Sequence, residues 1–416
     1  MTFPEIRTIK NDFNMPIKAI VNPKFNQTYG IAMVNFGSID TFNGVPAGSA
    51  HFLEHKLFAK PNGDSSDYYA KYGGDSNAFT SYTKTAYLFK TIKNSAENLN
   101  VLLNLISEPY FTNANVEKEK GIIGQEIQMY ADMPDSVIER KTLQNLYPQE
   151  AIGNDIAGSE QTISVINPES LTKIYNKYYA PNNFILYLAG NINVEQIEDD
   201  LAELTTNTNI KQFINKTSEL KLNDLTTHHA VVPTSKFKFK TQRPRMMLGL
   251  RFETEEFNRS GLIDFQNKLN IFMDVILGDS SKIHQRLFGK DLIDDSFGFN
   301  VIIERHYAFV LISAETNSPQ KLADIIEDYL FNHKYDVEFT EENLEASKKD
   351  SIGTYLFAQD YLENFATEAA ELSFYGLSVK DLPAMIASVS LNDLQSISNE
   401  KIEHNNFTKT YMYPEE

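Results

Sequence analysis

The sequence writes one pattern of elements twice, and this repetition limits the possible folds more than any other feature. Strand-like runs Ile17–Val21 and Tyr29–Val34 in the first half are matched by Lys236–Lys240 and Met246–Phe252 in the second. A helical segment follows in each case, His51–Phe58 and Ile263–Leu277, and then a strand ending Ala86–Phe89 or Ala308–Leu311. Asn94-Ser95-Ala96-Glu97-Asn98-Leu99 resembles Asn317-Ser318-Pro319-Gln320-Lys321-Leu322, and each opens an amphipathic helix. Phe111-Thr112 resembles Phe339-Thr340, with Thr as a helix N-cap. Ile163–Leu171 resembles Ile386–Leu394. Two copies make two related lobes, not a solenoid. A length of 416 residues, more than one hydrophobic core usually serves, agrees. The expected architecture is α/β (α+β), with two homologous lobes, each an antiparallel-rich sheet with helices packed on one face. The expected lobes are residues 1–222 and 223–416. The break falls in the polar stretch Lys211 to Pro233, which also reads as an ordinary surface connection.

Composition removes several classes. The chain has no cysteine, which excludes a disulfide scaffold and a thiolate-ligated metal. No apolar run is long enough to span a bilayer. The opening Met-Thr-Phe-Pro-Glu-Ile-Arg lacks the basic-then-apolar order of a secretory signal, so a cytoplasmic location is expected. A formal charge of −18 disfavours nucleic acid and anionic membrane as partners. The charge reads first as an aid to solubility, and a preference for basic peptides is the other reading it leaves open.

His51-Phe52-Leu53-Glu54-His55 carries the chemistry. At helical spacing His51, Glu54, His55 and Phe58 share one face, so both imidazoles can reach one cation with a carboxylate beside it. Zinc takes nitrogen ligands at roughly 2.0–2.1 Å and keeps one position for water at a catalytic site. A nearby carboxylate can take the proton of that water. This is the inverted order of the common His-Glu-x-x-His motif. On spacing alone, two structural histidines on a helix explain the pattern equally well.

A third ligand has to come from elsewhere. Val116–Ile127 reads as a helix with an apolar stripe of Val116, Ile122, Ile123 and Ile127, and Glu119 and Glu126 fall on or beside it. Carboxylates facing a core are costly unless paired or metal-bound, although a solvated margin would also accommodate them. The second half serves as an internal control. With Phe111 set against Phe339, Ser347 and Thr354 stand opposite Glu119 and Glu126, and the helix near Phe272 has no matching histidines. The second lobe keeps the scaffold without the metal chemistry.

Four stretches give the chain its resemblance to a known family. They are His51–Phe58, then Gly73-Gly74-Asp75-Ser76-Asn77-Ala78-Phe79-Thr80-Ser81, then Glu119 through Glu126, and Asp155-Ile156-Ala157-Gly158. The chain resembles the inverzincin zinc peptidases, the family of pitrilysin, insulin-degrading enzyme and the mitochondrial processing peptidase, and the likeness covers nearly its whole length. The resemblance implies that His51, His55 and Glu126 bind Zn2+ and that Glu54 is the general base. It implies that Glu119 orients a ligand histidine from behind. It also implies that Asn77, Ala78, Phe79 and Thr80 lie on an edge strand that pairs with an extended peptide substrate.

One departure stands out. Many active relatives carry an Arg and, seven residues later, a Tyr in the second lobe. An ungapped match puts Phe288 and Asp295 at those positions, with Arg286 and Lys290 out of register. The expected activity is therefore that of a zinc metalloendopeptidase whose chamber is completed by a partner. That partner is a related chain supplying the Arg/Tyr pair, or a second copy in a homodimer. Two rivals remain: a non-catalytic peptide-binding or scaffolding subunit of a peptidase heterodimer, and a zinc hydrolase acting on a non-peptide substrate. His228, His229, His284, His306, His333 and His404 lack metal-ligand spacing and read as surface or local structural residues.

Overall fold

A computed structural model describes residues 4–40, 45–218, 228–254 and 257–415. The expected boundary between residues 222 and 223 lies outside the described residues. The strands in chain order are β1 (Glu5–Thr8), β2 (Ile17–Val21), β3 (Thr28–Val34), β4 (Ala59–Lys60), β5 (Gly63–Asp64), β6 (Gly74–Thr80), β7 (Thr85–Thr91), β8 (Phe184–Gly190), β9 (Thr234–Phe239), β10 (Arg245–Phe252), β11 (Gly298–Glu304), β12 (Tyr307–Glu315) and β13 (Phe407–Pro414). They form a six-stranded sheet ordered β1-β2-β8-β3-β7-β6, a five-stranded sheet ordered β11-β12-β10-β13-β9, and the small β4-β5 pair. Apart from the parallel pairs β2–β8 and β9–β13, the pairings are antiparallel. Each large sheet belongs to its own compact unit with packed helices, so the mixed α/β, two-lobe architecture is as expected. No helix among the described residues is long and apolar enough to cross a membrane.

The first unit comprises Met1–Ile127, Asp155–Asp224 and Phe357–Val379. All seven residues of β3 and of β8 are buried, so these central strands are covered on both faces. One face carries Ala32, Val34, Leu186 and Leu188 in a core with Phe52, Leu53 and Leu57 of helix Ser49–Phe58 and Leu99, Leu102 and Leu103 of helix Ser95–Ser107. The opposite face is covered by Leu362–Phe374, a helix from the second half of the chain. Its Thr367 and Ser373 hydroxyls meet the hydroxyls of Tyr29 and Tyr187 at 3.3 and 3.0 Å. Its buried Ala366, Ala369 and Ala370 allow close packing on the strands.

The second unit comprises Gln128–Asn154, Leu225–Leu356 and Lys380–Glu416, and it makes the reciprocal arrangement. Helix Pro134–Leu146, from the first half, covers β10 and β13. It lies so close that a Cβ on Gly249 would come within 2.8 Å of Leu146 and 3.0 Å of Thr142. Asn145 donates to Ser235 at 2.8 Å and Thr410 at 3.1 Å, and Tyr147 donates to the Ala308 carbonyl at 2.9 Å. Each half of the sequence thus lends one helix to the unit built mainly from the other. At the outer edge β9 alternates exposed Lys236 and Lys238 with half-buried Phe237 and Phe239, and such lysines discourage edge-to-edge pairing.

The helix covering the first sheet holds a group that makes stability depend on pH. Burial, reinforced by Glu371, pushes the Glu368 carboxyl up to about 7. Because the folded value is raised above the unfolded one, the folded state holds the proton more tightly. The resulting stabilisation is complete below about pH 4.5 and is lost as pH rises through 7. One pKa unit corresponds to about 1.4 kcal/mol, so a rise from the ordinary 4.5 to about 7 makes the ionised group at pH 8 cost roughly 3 kcal/mol relative to a neutral isostere. Glu368→Gln is expected to raise the melting temperature at pH 8 by a few degrees and to change it little at pH 5. Thermal melts at both pH values check this, and an equal shift at both would rule it out.

Candidate metal centre

Helix Ser49–Phe58 begins where Gly48 takes a left-handed conformation, φ 87°, and leans on the Ala157–Gly158 backbone. A Cβ on Gly48 would lie 2.4 Å from the Ala157 carbonyl oxygen, so the Asp155–Gly158 stretch fixes the start of this helix. Eight residues of the helix are buried: Ser49, Ala50, His51, Phe52, Leu53, Glu54, Lys56 and Leu57. The one-turn spacing of His51 and His55 brings their ring centroids to 4.6 Å.

Helix Asn113–Ala131 supplies the facing carboxylates. Of the expected apolar stripe, Val116, Ile123 and Ile127 are buried, but Ile122 is 46% exposed and lies off it. Glu119 is buried and Glu126 is half-buried. Glu126 Oε2 lies 3.6 Å from His51 Nε2 and 3.7 Å from His55 Nε2. The three ligand atoms all fall within 4.8 Å of one another. A tetrahedral zinc with bonds of roughly 2.0–2.1 Å separates its ligands by roughly 3.3–3.4 Å. The group therefore fits one zinc ion after small side-chain adjustments. Among the described residues it is the one group of three or more His, Cys, Asp and Glu side chains close enough to share an ion. In the second unit, Ser347 is buried and Thr354 exposed at the positions set against Glu119 and Glu126.

The electrostatics suit such an ion. Burial, with His55 nearby, lowers His51 to about 4 against the opposing pull of Glu119, so its imidazole is neutral near pH 7. His55 Nδ1 lies 3.1 Å from Glu119 Oε1. A carboxylate only accepts, so Nδ1 carries the proton and Nε2 turns its lone pair toward Glu126 and His51. Burial alone would lower the His55 pKa, but the Glu119 hydrogen bond and the Glu54, Glu119 and Glu126 charges outweigh it and raise it. The other Glu119 oxygen accepts from Lys56 Nζ at 2.9 Å. Burial opposes ionisation of Glu119, but His55 and Lys56 overcome it and hold the carboxyl below its ordinary range.

Lys56, only 3% exposed, escaped the sequence reading. The available signal was a lone lysine within Phe52-Leu53-Glu54-His55-Lys56-Leu57-Phe58, a segment apolar enough to be buried all round.

Glu54 is buried beside the histidines, and Thr80 Oγ1 donates to its Oε2 at 2.5 Å. Burial pushes this carboxyl up to about 7, with Thr80 and His55 opposing and Glu126 adding to the rise. Thr80 ends β6, the outermost strand of its sheet, where Asn77 is exposed and Ala78, Phe79 and Thr80 are half-buried. Asn77 Oδ1 accepts from the Ala78 N–H at 2.9 Å. The four residues thus lie on a sheet edge that runs up to Glu54. Phe288 and Asp295 are exposed on the second unit. Of the other histidines, His228 pairs with Glu150 at 2.9 Å and His333 Nδ1 meets Ser398 Oγ at 3.0 Å, both local contacts within that unit.

Comparison with known proteins places this geometry. Residues 28–160 match the family model described as insulinase (peptidase family M16), and residues 166–350 match the peptidase M16 inactive domain. The chain is 33% identical over 400 residues to the uncharacterized zinc protease YmfH of Bacillus subtilis, covering 94% of this chain and 92% of that one. It is 26% identical over 323 residues to the uncharacterized zinc protease YmxG of the same organism, covering 75% and 74%. The crystal structure of an M16-like peptidase from Alicyclobacillus acidocaldarius superposes with a TM-score of 0.89 at 25% identity, covering 100% of this chain and 99% of that chain. With residues 28–160 matching the insulinase model, residues 166–350 the inactive domain, and a relative covered over nearly its whole length named a zinc protease, the chain belongs to peptidase family M16, the insulinase and pitrilysin group of inverzincins.

Proposed function

We propose that the chain is a zinc-dependent endopeptidase that cleaves extended peptides in the cytoplasm, with His51, His55 and Glu126 holding the metal and Glu54 acting as general base. The observation that carries this reading is the convergence of two neutral-capable imidazoles and a carboxylate on one point, with a buried second carboxylate beside them. When bound, zinc supplies Lewis acidity toward a peptide carbonyl and an attacking water. Glu54, poised near neutrality, takes the proton of that water and returns it to the leaving amine. Glu119 holds His55 in the tautomer that leaves Nε2 free, and Lys56 holds Glu119. The Asn77–Thr80 edge offers main-chain groups to an extended substrate, which favours a peptide over other hydrolase substrates.

The exposed Phe288 and Asp295 cannot donate to a developing oxyanion as Arg and Tyr would. This supports a partner of the same family that supplies the pair, and it weighs against full activity from this chain alone. Losing one oxyanion donor commonly costs roughly 10²–10³-fold in rate. Mixing the chain with a related one that lacks the His-x-x-Glu-His motif but carries the Arg/Tyr pair is therefore expected to raise peptide cleavage roughly 10²-fold above the sum of the two alone. Zinc content and peptide cleavage, measured on each chain and on the mixture, test this. Full cleavage by this chain alone, unchanged by the partner, defeats the partner assignment. Absence of zinc from the purified chain defeats the peptidase reading, and stoichiometric zinc without cleavage in any mixture leaves the non-catalytic rival in its place.

A further inference from the structure

The contact between Thr80 and Glu54 joins two parts of the site that the proposed function treats separately, the edge strand and the base. Thr80 lies 26 residues from Glu54 in sequence and reaches it because β6 ends beside helix Ser49–Phe58. Across the sheet it is paired in register with Thr85, and the two hydroxyl oxygens lie 3.4 Å apart. Thr85 is fully buried and donates to the Phe36 carbonyl at 3.0 Å. Each threonine has one proton to give. The Thr85 proton is spent on Phe36, and the Thr80 proton goes to Glu54 Oε2, where an ionised carboxylate can only accept. Oε2 is thereby held, and Oε1 is left to meet a substrate water. Helix rotamer preferences set the first two Glu54 torsions, but the last, at the sp² carboxylate, is broad and roughly two-fold unless a hydrogen bond fixes it.

Resting on the proposed peptidase reading, we infer that Thr80 is a positioning residue for Glu54: its hydroxyl fixes the carboxylate plane, so the strand that receives the peptide also aims the base. Removing a comparable supporting hydrogen bond commonly lowers activity roughly 10–100-fold. The residue acts through Glu54, so the loss belongs in kcat rather than KM.

The test compares Thr80→Val, which keeps the shape and removes the donor, with Thr80→Ser, which restores it. Thr80→Val is expected to lower kcat on a peptide substrate by roughly 10–100-fold. Its KM should stay within about twofold of the parent, because valine keeps the main-chain groups that the edge strand offers a peptide, and its zinc at about one per chain, because the hydroxyl lies on Glu54 and not among His51, His55 and Glu126. Thr80→Ser is expected to recover most of kcat. Crystal structures of the zinc-loaded parent and both variants give a readout independent of turnover: one Glu54 carboxylate orientation in parent and Ser variant, a rotated or split one in the Val variant. A single unchanged orientation in Thr80→Val overturns the inference even if no form cleaves peptides. So does an equal loss of kcat in the Val and Ser variants, which would mark a packing role. Absence of cleavage by the parent both alone and with the partner chain, with Glu54 still reoriented in Thr80→Val, would overturn the peptidase reading and leave the positioning role standing.

Discussion

Glu54→Gln is expected to keep zinc at about one per chain while lowering peptide turnover by at least roughly 10²-fold. Glutamine matches the size of the carboxylate and its carbonyl oxygen can still accept from Thr80, so packing around this buried position is retained. What disappears is the capacity to hold a proton near neutral pH, the property that burial gives Glu54. Metal binding should persist because the proposed ligand atoms are those of His51, His55 and Glu126, which this substitution leaves in place. Elemental analysis paired with peptide hydrolysis, alone and with a partner chain, separates the two effects. Parent-like turnover in this variant would show that another group takes the proton, and loss of zinc would show that Glu54 helps to hold the ion.

The second large effect is expected at His55, where alanine should abolish stoichiometric zinc. Two ligands then remain of three, and a site built for tetrahedral coordination loses the imidazole that Glu119 and Lys56 hold in place. The substitution also leaves Glu119 paired with Lys56 alone, so a folded, thermally stable variant without metal is the expected product. Zinc measured after dialysis against a chelator checks this, with circular dichroism as the folding control. Full zinc retention in a folded His55→Ala protein would mean that the ion sits elsewhere and would remove the basis of the peptidase reading.

The sequence carried the parts of this molecule that depend on local spacing. A histidine pair one turn apart must share a helix face, and two glutamates two turns apart on the next long helix must share another. The Asn77–Thr80 segment, with its flanking glycines, reads as a strand, and the repeated motifs across the halves announce two lobes. Contacts between distant elements were not legible in this way. Lys56 and Glu119 are 63 residues apart, and nothing in either segment alone reveals that they meet. Thr80 reads equally well as one more strand residue, because threonine suits strands whether or not its hydroxyl is engaged. The helix exchange was hidden for a related reason. Ile138, Thr142, Leu143 and Leu146 form a buried face on Pro134–Leu146 that would cover either sheet, and only the small Gly249 opposite marks which one.

That exchange ties the energetics of the two halves together. The helix bearing Glu126 straddles the point where the chain passes from one unit to the other, since the first unit runs to Ile127 and the second takes up at Gln128. Complete burial of a leucine contributes about 1.5–3 kcal/mol, so the burial of Leu143 and Leu146 beneath the second sheet anchors the helix that follows this carboxylate. In return, the second half holds the Leu362–Phe374 cover over the sheet whose last strand reaches Glu54. Each sheet thus keeps its second face covered only while a segment from the other half of the chain lies on it. A substitution beneath Leu362–Phe374 is therefore expected to loosen the sheet whose last strand reaches Glu54.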